Sequence, residues 1–148
     1  MPKEFQKFVV SQKGMIMLAG KCLIVRLREE IGHPSSLKWD LPGGRIDEGE
    51  DGEEAFKREM LEETGLKKYS SLGLADYFIR YPEHKFYPPY CGFIRLLEID
   101  KNDVIKLSKE HIELKWIEED EIKNFNFCWK KMPEMIKKGF EMYKKIKS

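Results

Sequence analysis

One uninterrupted stretch of helix-forming residues, 51–64, constrains this chain more than any other. It has no proline, and it is rich in Glu, Lys, Arg, Ala, Met and Leu, which favour helix. Acidic residues crowd its first half, where the positive end of the helix dipole stabilises them. Gly65 follows, at the place where a left-handed C-terminal cap is needed. The stretch therefore predicts a helix that begins at Asp51 or Gly52 and ends at Thr64.

Three glutamates of this helix share one face. Glu59, Glu62 and Glu63 are spaced i, i+3 and i+4, which places them within a stripe roughly 100° wide. Carboxylates that converge in this way repel one another and need cations to relieve the repulsion. Oxygen ligands suit hard divalent ions, and Mg²⁺ typically combines one or two carboxylates with substrate phosphates. With the glycine-rich turn 42–44 just upstream, the pattern predicts a metal–diphosphate site.

The stretch 44–66 also resembles the Nudix box. That pattern runs Gly, five residues, Glu, seven residues, Arg-Glu, an aliphatic residue, any residue, Glu-Glu, any residue, Gly and an aliphatic residue. The matching positions are Gly44, Glu50, Arg58, Glu59, Met60, Glu62, Glu63, Gly65 and Leu66. A chance match to the seven single-residue positions is on the order of one in ten million per starting residue. A solvated acidic helix is the usual alternative for a run of charges, and this spacing argues against it.

The remaining pattern predicts strands around that one central helix and a second helix at the end of the chain. Apolar runs at 8–10, 15–18, 21–27, 73–81 and 90–99 predict strands, with a hairpin turn at Ala19-Gly20. Alternation at 112–117 predicts a strand that buries Ile112, Leu114 and Trp116. The second helix is expected over 132–147, with Pro133 in its first turn and its lysines in solvent.

This order favours an α/β fold, an α/β/α sandwich with a central mixed β-sheet, in a single domain over residues 1–148. The resemblance implies the same Nudix-type fold. It also implies a Mg²⁺-dependent pyrophosphohydrolase, with Mn²⁺ as a possible substitute, that cleaves a phosphoanhydride in a nucleoside diphosphate linked to another group. The substrate can be a nucleoside triphosphate, ADP-ribose, a dinucleoside polyphosphate or a nucleotide sugar, and the sequence does not choose among them.

The resemblance further implies roles for individual residues. The expected metal ligands are Gly43, through its carbonyl, together with Glu50, Glu59, Glu62 and Glu63. Glu50 can act instead as a partner for Arg58, and Glu59 can also act as the base. Arg58 is expected to orient the carboxylates, with a plain surface pair to Glu62 as the alternative. The family often takes its general base from a later segment, where Glu110 ranks ahead of Glu113.

Substrate contacts are the least determined part of the sequence. The candidates are Gly44, Arg45, Phe86, Tyr87, Asn126 and Phe127. The aromatic side chains among them can stack on a nucleobase, although such residues more often pack in a core or loop. Arg28, Arg45 and Arg80 are further cations that can meet a phosphate or stay in solvent.

Composition excludes some classes of protein. The net charge is +1 with 36% charged residues, which gives little support to a nucleic-acid partner. No secretory signal or run of membrane-spanning length is visible, and the three cysteines lack paired spacing, so a cytoplasmic protein is expected. The partner expected is a small nucleotide, and the protein is a monomer or a homodimer. Two competing functions are a non-catalytic nucleotide sensor and an RNA 5′-end pyrophosphohydrolase, the latter requiring a local basic channel.

Overall fold

The computed structural model describes residues 3–83 and 88–148. Within them lie seven strands, two α-helices and a short 3₁₀ helix over Glu119–Asn124. The strands are β1 (Val9–Leu18), β2 (Lys21–Leu27), β3 (Trp39–Asp40), β4 (Gly43–Arg45), β5 (Ser70–Arg80), β6 (Tyr90–Glu98) and β7 (His111–Ile117). The helices are α1 (Gly52–Thr64) and α2 (Met132–Lys147).

The seven strands form one mixed sheet with a helix on each face. The strand order is β3-β2-β1-β6-β5, with β4 beside β1 and β7 beside β2. β1 and β6 are parallel, and the other neighbours are antiparallel. Ile16 packs with Phe56 and Met60 of α1 on one face, whereas Met15 packs with Phe140 of α2 on the other. The predicted α/β/α sandwich around a mixed sheet is confirmed.

The lead-in to α1 lies in a wedge between two strands that diverge. β2 pairs with β1 beside the hairpin turn, at Met17 and Leu18. Further along, Trp39–Asp40 pairs with β2 and Gly43–Arg45 pairs with β1, so the chain crosses from one strand to the other. The crossing is fixed at Pro42, whose carbonyl accepts a 2.7 Å hydrogen bond from the Gly14 N–H. The glycine turn is therefore held by the sheet on both sides.

Helix α1 begins and ends as the sequence predicts. The Asp51 side chain accepts the Glu53 N–H at 3.2 Å, which caps the N-terminus. Gly65 adopts φ 74° and donates its N–H to the Leu61 carbonyl, the left-handed C-terminal cap. Phe56 on the inner side is fully buried. The acidic face of the helix is thereby fixed in both position and rotation.

Several sequence predictions need correction. The apolar runs 8–10 and 15–18 belong to one strand, β1, because the polar residues between them pair with β4 and β6. The face predicted for β7 is wrong at its start: Ile112 is 54% exposed, since it lies beyond the apolar cluster under α1, while Ile117 is fully buried.

The turn predicted at Ala19-Gly20 is confirmed, with φ 50° and 82°. Across the described ranges, 3–83 and 88–148, no helix combines the length and the apolar character that crossing a bilayer requires.

Candidate active site

A cleft of about 800 Å³ lies along the C-terminal half of α1. One side consists of Glu59, Glu62 and Glu63, the three carboxylates that the sequence places on one helix face. Gly43 and Gly44 from the wedge also line it. Residues that adjoin the ends of β2 and β7 also line the cleft, among them Arg28 and Glu110. The fold thus gathers the acidic stripe, the glycine turn and two strand ends around one space.

Glu63 is the most buried of the three carboxylates. The residue is 8% exposed, and its Oε2 accepts the Gly43 N–H at 2.8 Å. Burial raises the pKa of Glu63 to about 7, although the positive charge of Lys13 and the Gly43 hydrogen bond act in the opposite direction. The ionised form of this buried carboxylate is disfavoured, and a bound cation would stabilise it.

Arg58 ties the acidic residues of the site together. Its Nε and Nη2 each donate to a different oxygen of Glu50 at 2.8 Å, a bidentate pair. Its Nη1 reaches Glu59 at 2.9 Å and Glu62 at 3.3 Å, and Nη2 lies 3.3 Å from Asp47. One guanidinium therefore contacts four carboxylates, which goes beyond a surface pair with Glu62. Asp47 is a contact that the sequence reasoning missed.

The pKa values of these acids follow their surroundings. The hydrogen bonds from Arg58 lower the pKa of Glu50 to about 2, so Glu50 serves here as the partner of Arg58. Burial raises the pKa of Glu59 despite the hydrogen bond from Arg58, and the nearby charge of Glu62 adds to the rise. Burial therefore disfavours the ionised forms of both Glu59 and Glu63 on the cleft side of α1.

Gly43 and Gly44 each need to be glycine, but for different structural reasons. Gly43 has φ 149°, and a Cβ on it would lie 2.1 Å from the backbone oxygen of Gln12. A Cβ on Gly44 would lie 2.5 Å from the carboxylate of Glu59. Gly43 is therefore required by the fold, whereas Gly44 leaves room for a carboxylate of the site.

A buried ion pair lies beside Glu63, and the sequence reasoning missed it. Lys13 Nζ is 2.8 Å from Asp40 Oδ2, and both side chains are largely buried. Burial disfavours the charge of Lys13, but Asp40, Cys128 and Glu63 together outweigh it, so the pKa of Lys13 is raised. Burial, with the charge of Asp40, raises the pKa of the Cys128 thiol to about 12. The polar run 11–13 between two apolar runs was the available signal for this pair.

The family model described as the NUDIX domain matches residues 12–138 of this sequence. The chain belongs to the Nudix family. The match includes the cleft, α1 and the first part of α2.

Curated relatives share parts of this Nudix sequence. The chain is 42% identical over 78 residues to an RNA pyrophosphohydrolase of Rhizobium meliloti (strain 1021), covering 51% of this chain and 45% of that protein. It is 56% identical over 39 residues to a putative 8-oxo-dGTP diphosphatase of Bacillus subtilis (strain 168), 26% of each chain. The matched segments therefore span less than half the length of these relatives.

Solved structures share the fold. The MutT protein from Methanosarcina mazei Go1 aligns with a TM-score of 0.73 and 23% identity, covering 99% of each chain. An Ap4A hydrolase from C. elegans aligns with a TM-score of 0.70 and 24% identity, covering 88% of this chain and 93% of that one. At these identities the likeness shows the Nudix fold alone.

The other predicted site residues are divided between the cleft and its surroundings. Glu110 lines the cleft, whereas Glu113 lies 3.4 Å from Arg26 in a salt bridge and is not part of the lining. Arg45 lines the cleft, and its guanidinium donates to the Tyr90 hydroxyl at 2.8 Å.

Asn126 and Phe127, two of the predicted substrate-binding residues, are not part of the cleft lining. Phe127 is buried in the core under α2, and Asn126 is exposed. The backbone carbonyl of Asn126 accepts the Trp39 N–H at 2.9 Å. Phe86 and Tyr87 lie outside the described residues.

A second acidic group lies elsewhere. Glu118, Asp120 and Glu121 each place one carboxylate oxygen within 4.8 Å of the others. Among residues 3–83 and 88–148, this is the group of three acidic side chains that lies so close together. Its geometry has a local cause, because the Glu121 carboxylate accepts the Glu118 N–H at 2.9 Å in a capping box. The carboxylates of α1 are less closely gathered, since Arg58 bridges two of them and Glu63 turns to Gly43.

The donor set of the cleft nevertheless fits a hard divalent ion. Glu59, Glu62 and Glu63 offer carboxylate oxygens, the ligands that Mg²⁺ and Mn²⁺ prefer. Burial raises the pKa of both Glu59 and Glu63, and a bound cation would favour their ionised forms. The residues that would hold the ion are therefore these three, with Gly43 beside them.

Proposed function

We propose that the protein is a pyrophosphohydrolase that depends on Mg²⁺ or Mn²⁺ and hydrolyses a phosphoanhydride bond in a nucleotide. The observation that carries the proposal is the meeting of three α1 carboxylates, Glu59, Glu62 and Glu63, with the glycine turn in one cleft. Membership of the Nudix family supports a hydrolase acting on phosphoanhydrides. A divalent ion bound there would neutralise the diphosphate oxygens and acidify a water.

The protein's own residues divide the work in this proposal. Glu59, Glu62 and Glu63 would hold the divalent ion against the diphosphate, and Arg58 contacts Glu59 at 2.9 Å and Glu62 at 3.3 Å, which restrains both side chains. The bidentate pair with Glu50 fixes Arg58 in turn. Contacts of this kind restrict the motion of Glu59 and Glu62, and charged groups that are positioned in advance lower the cost of reaching the transition state.

Glu110 is the general base that we propose. Hydrolysis adds water across the P–O–P linkage, so a proton must leave the attacking water as the new P–O bond forms and the old one breaks. Glu110 is exposed and lines the cleft, where its carboxylate can accept that proton. Glu113 is committed to Arg26 outside the cleft lining, which ranks it second.

An RNA 5′-end pyrophosphohydrolase is a second candidate. It is supported by the relative of that name in Rhizobium meliloti, which is 42% identical over 78 residues. The relative named as a putative 8-oxo-dGTP diphosphatase supports a free nucleotide instead. Both names concern a nucleotide with a pyrophosphate to release, so they agree on the bond and differ in what is attached to it.

A product-resolved panel tests the proposal. Nucleoside triphosphates, ADP-ribose, a dinucleoside tetraphosphate, a nucleotide sugar and a 5′-triphosphorylated oligonucleotide are incubated with Mg²⁺, and the products are separated by chromatography. We expect turnover of at least one compound by the wild type and a loss of roughly 10²-fold or more in Glu62→Gln, typical of removing a group that stabilises the transition state. Glu54→Gln, an exposed acid of the same helix outside the cleft lining, is the matched control and should stay active.

The competing sensor makes the opposite prediction. A sensor would bind a nucleotide yet release no product from any compound in the panel, with Glu62→Gln indistinguishable from the wild type. That outcome would refute catalysis. A cytoplasmic location and a monomeric or homodimeric state stay predictions, which fractionation and light scattering test directly.

A further inference from the structure

Three basic side chains that line the cleft, those of Arg28, Arg45 and Lys109, have no salt-bridge partner within residues 3–83 and 88–148. Arg28 directly follows β2, and Lys109 lies shortly before β7. Both residues are exposed and both line the cleft. Glu30 and Glu110 line the same cleft without pairing to either cation. The positive charge of Arg28 and Lys109 is therefore available to a ligand.

The backbone fixes where these two cations lie. The Arg28 N–H donates to the Glu110 carbonyl at 2.9 Å, which extends the pairing of β2 with β7 by one step. Lys109 precedes Glu110 directly, so both cations are carried by the same hydrogen-bonded strand ends. The His111 N–H also donates to the Ser108 carbonyl at 3.2 Å, which closes a turn around Lys109. These contacts fix the neighbouring backbone segments from which the two side chains extend at the cleft.

The other basic residues of the site are already engaged. Arg45 donates to the Tyr90 hydroxyl at 2.8 Å and lies 5.5 Å from the centre of that ring. Arg58 is bound to the carboxylates of α1 and its lead-in. Arg45 keeps its charge but is held at Tyr90, whereas Arg28 and Lys109 have neither a salt bridge nor a side-chain hydrogen bond among the described residues, so their charge can meet negative charge that a bound divalent ion does not neutralise.

Whether a substrate carries additional negative charge for these cations depends on what is attached to its diphosphate. A sugar linked to a nucleoside diphosphate carries neutral hydroxyl groups beyond the two phosphates. A chain of three or more phosphates carries an additional charged phosphate there, and Arg and Lys are the side chains that bind phosphate. Two cations without a salt bridge, in the same cleft as the α1 carboxylates, suit the second kind of ligand.

We propose that Arg28 and Lys109 form a terminal-phosphate site, so that the substrate class is a nucleotide with at least three consecutive phosphates. The inference rests on the proposed function, because the α1 carboxylates define where the cleaved diphosphate lies. A free nucleoside triphosphate and the 5′-triphosphate of an RNA share this chemistry. The two sources are separated by the arms of the experiment.

The test compares kinetics on two kinds of substrate. Arg28→Gln, Lys109→Gln and the double variant are assayed with Mg²⁺ on a nucleoside triphosphate, a 5′-triphosphorylated oligonucleotide and ADP-ribose. We expect kcat/KM for the triphosphates to fall at least about tenfold, mainly through KM, the size expected for losing a charge-assisted hydrogen bond. Turnover of ADP-ribose should be unchanged. Lys57→Gln, an exposed lysine on α1 outside the cleft lining, is the control and should match the wild type.

The outcomes separate this inference from the proposed function. An equal fall on all substrates, no fall on any, or a wild type that prefers ADP-ribose overturns the terminal-phosphate site while hydrolysis stands. If the wild type hydrolyses nothing, calorimetry with a non-hydrolysable triphosphate analogue and Mg²⁺ decides. Binding that the double variant loses then supports the site with catalysis refuted, and equal or absent binding overturns the site as well. Whichever of the two triphosphates the wild type hydrolyses faster shows whether the substrate is a free nucleotide or the 5′ end of an RNA.

Discussion

Replacing Glu63 with glutamine should stabilise the metal-free protein at pH 8, although it removes a residue of the proposed site. Burial raises the pKa of Glu63 from 4.5 to about 7 in the folded chain. At about 1.4 kcal/mol per pKa unit, ionising this group in the folded state costs about 3 kcal/mol. Glutamine keeps an oxygen that can accept the Gly43 N–H, but its new N–H₂ group costs about 1–3 kcal/mol if it stays unpaired. The net gain expected is therefore up to about 2 kcal/mol.

The pH dependence of the stability shows in which direction Glu63 acts. Between pH 4.5 and about 7 the folded wild type keeps a proton that the unfolded chain has lost, so its stability falls as the pH rises through this window. The contribution of Glu63 is complete below pH 4.5 and is lost above about pH 7. Glu63→Gln has no such titration. Its advantage over the wild type should therefore be large at pH 8 and small or absent at pH 5.

Thermal and urea unfolding in EDTA at both pH values measure this difference. For a chain of this length, a gain of up to about 2 kcal/mol corresponds to an increase in Tm of up to roughly 8 °C. Glu62→Gln is the control: its side chain is 58% exposed, and a surface change of this kind stays within about 0.5 kcal/mol. Added Mg²⁺ should reverse the order, because saturation at 100 times Kd stabilises the wild type by about 2.7 kcal/mol and the variant by less. A variant less stable than the wild type at pH 8, or an equal gain at pH 5, would refute the reasoning.

Four further outcomes are expected. Gly44→Ala places a Cβ 2.5 Å from the Glu59 carboxylate, so the protein should fold normally and lose at least about tenfold in kcat, and full activity would contradict the contact. Gly43→Ala meets the β1 backbone at φ 149° and should cost about 3 kcal/mol in urea unfolding, since strain and overpacking each cost roughly 1–3 kcal/mol. Glu110→Gln should lower kcat roughly 10²–10⁴-fold and Glu113→Gln only a few-fold, with the reverse order assigning the base to Glu113. Chelation should abolish turnover and Mg²⁺ should restore it; activity that survives EDTA would argue against the metal.

Local sequence rules predicted the helix of the site closely. The bounds of α1 and its left-handed cap at Gly65 follow from propensity and capping, which act over a few neighbouring residues. The turn at Ala19-Gly20 and the bounds of α2 are of the same kind. The strand at 112–117 was less well predicted, because the burial of Ile112 depends on how far the opposing core extends.

The contacts of the site were decided by the tertiary structure. Lys13 meets Asp40 across the wedge between β1 and β3, and Glu63 meets Gly43, 20 residues away. No local pattern contains such pairs, since they arise where separate strands converge. Likewise, alternation placed Glu110 and Glu113 near one strand, and only its pairing with β2 put Arg26 beside Glu113.

By itself, the sequence determined the acidic helix, its caps and the Nudix spacing, because helix geometry converts residue numbers directly into positions on one face. Tertiary structure alone decided which charges face one another. It bound Arg58 to Glu50 and left Arg28 and Lys109 without a salt-bridge partner in the described ranges. The physical reason is that ion pairing and desolvation depend on distance in space, which is set by strand pairing over long sequence separations.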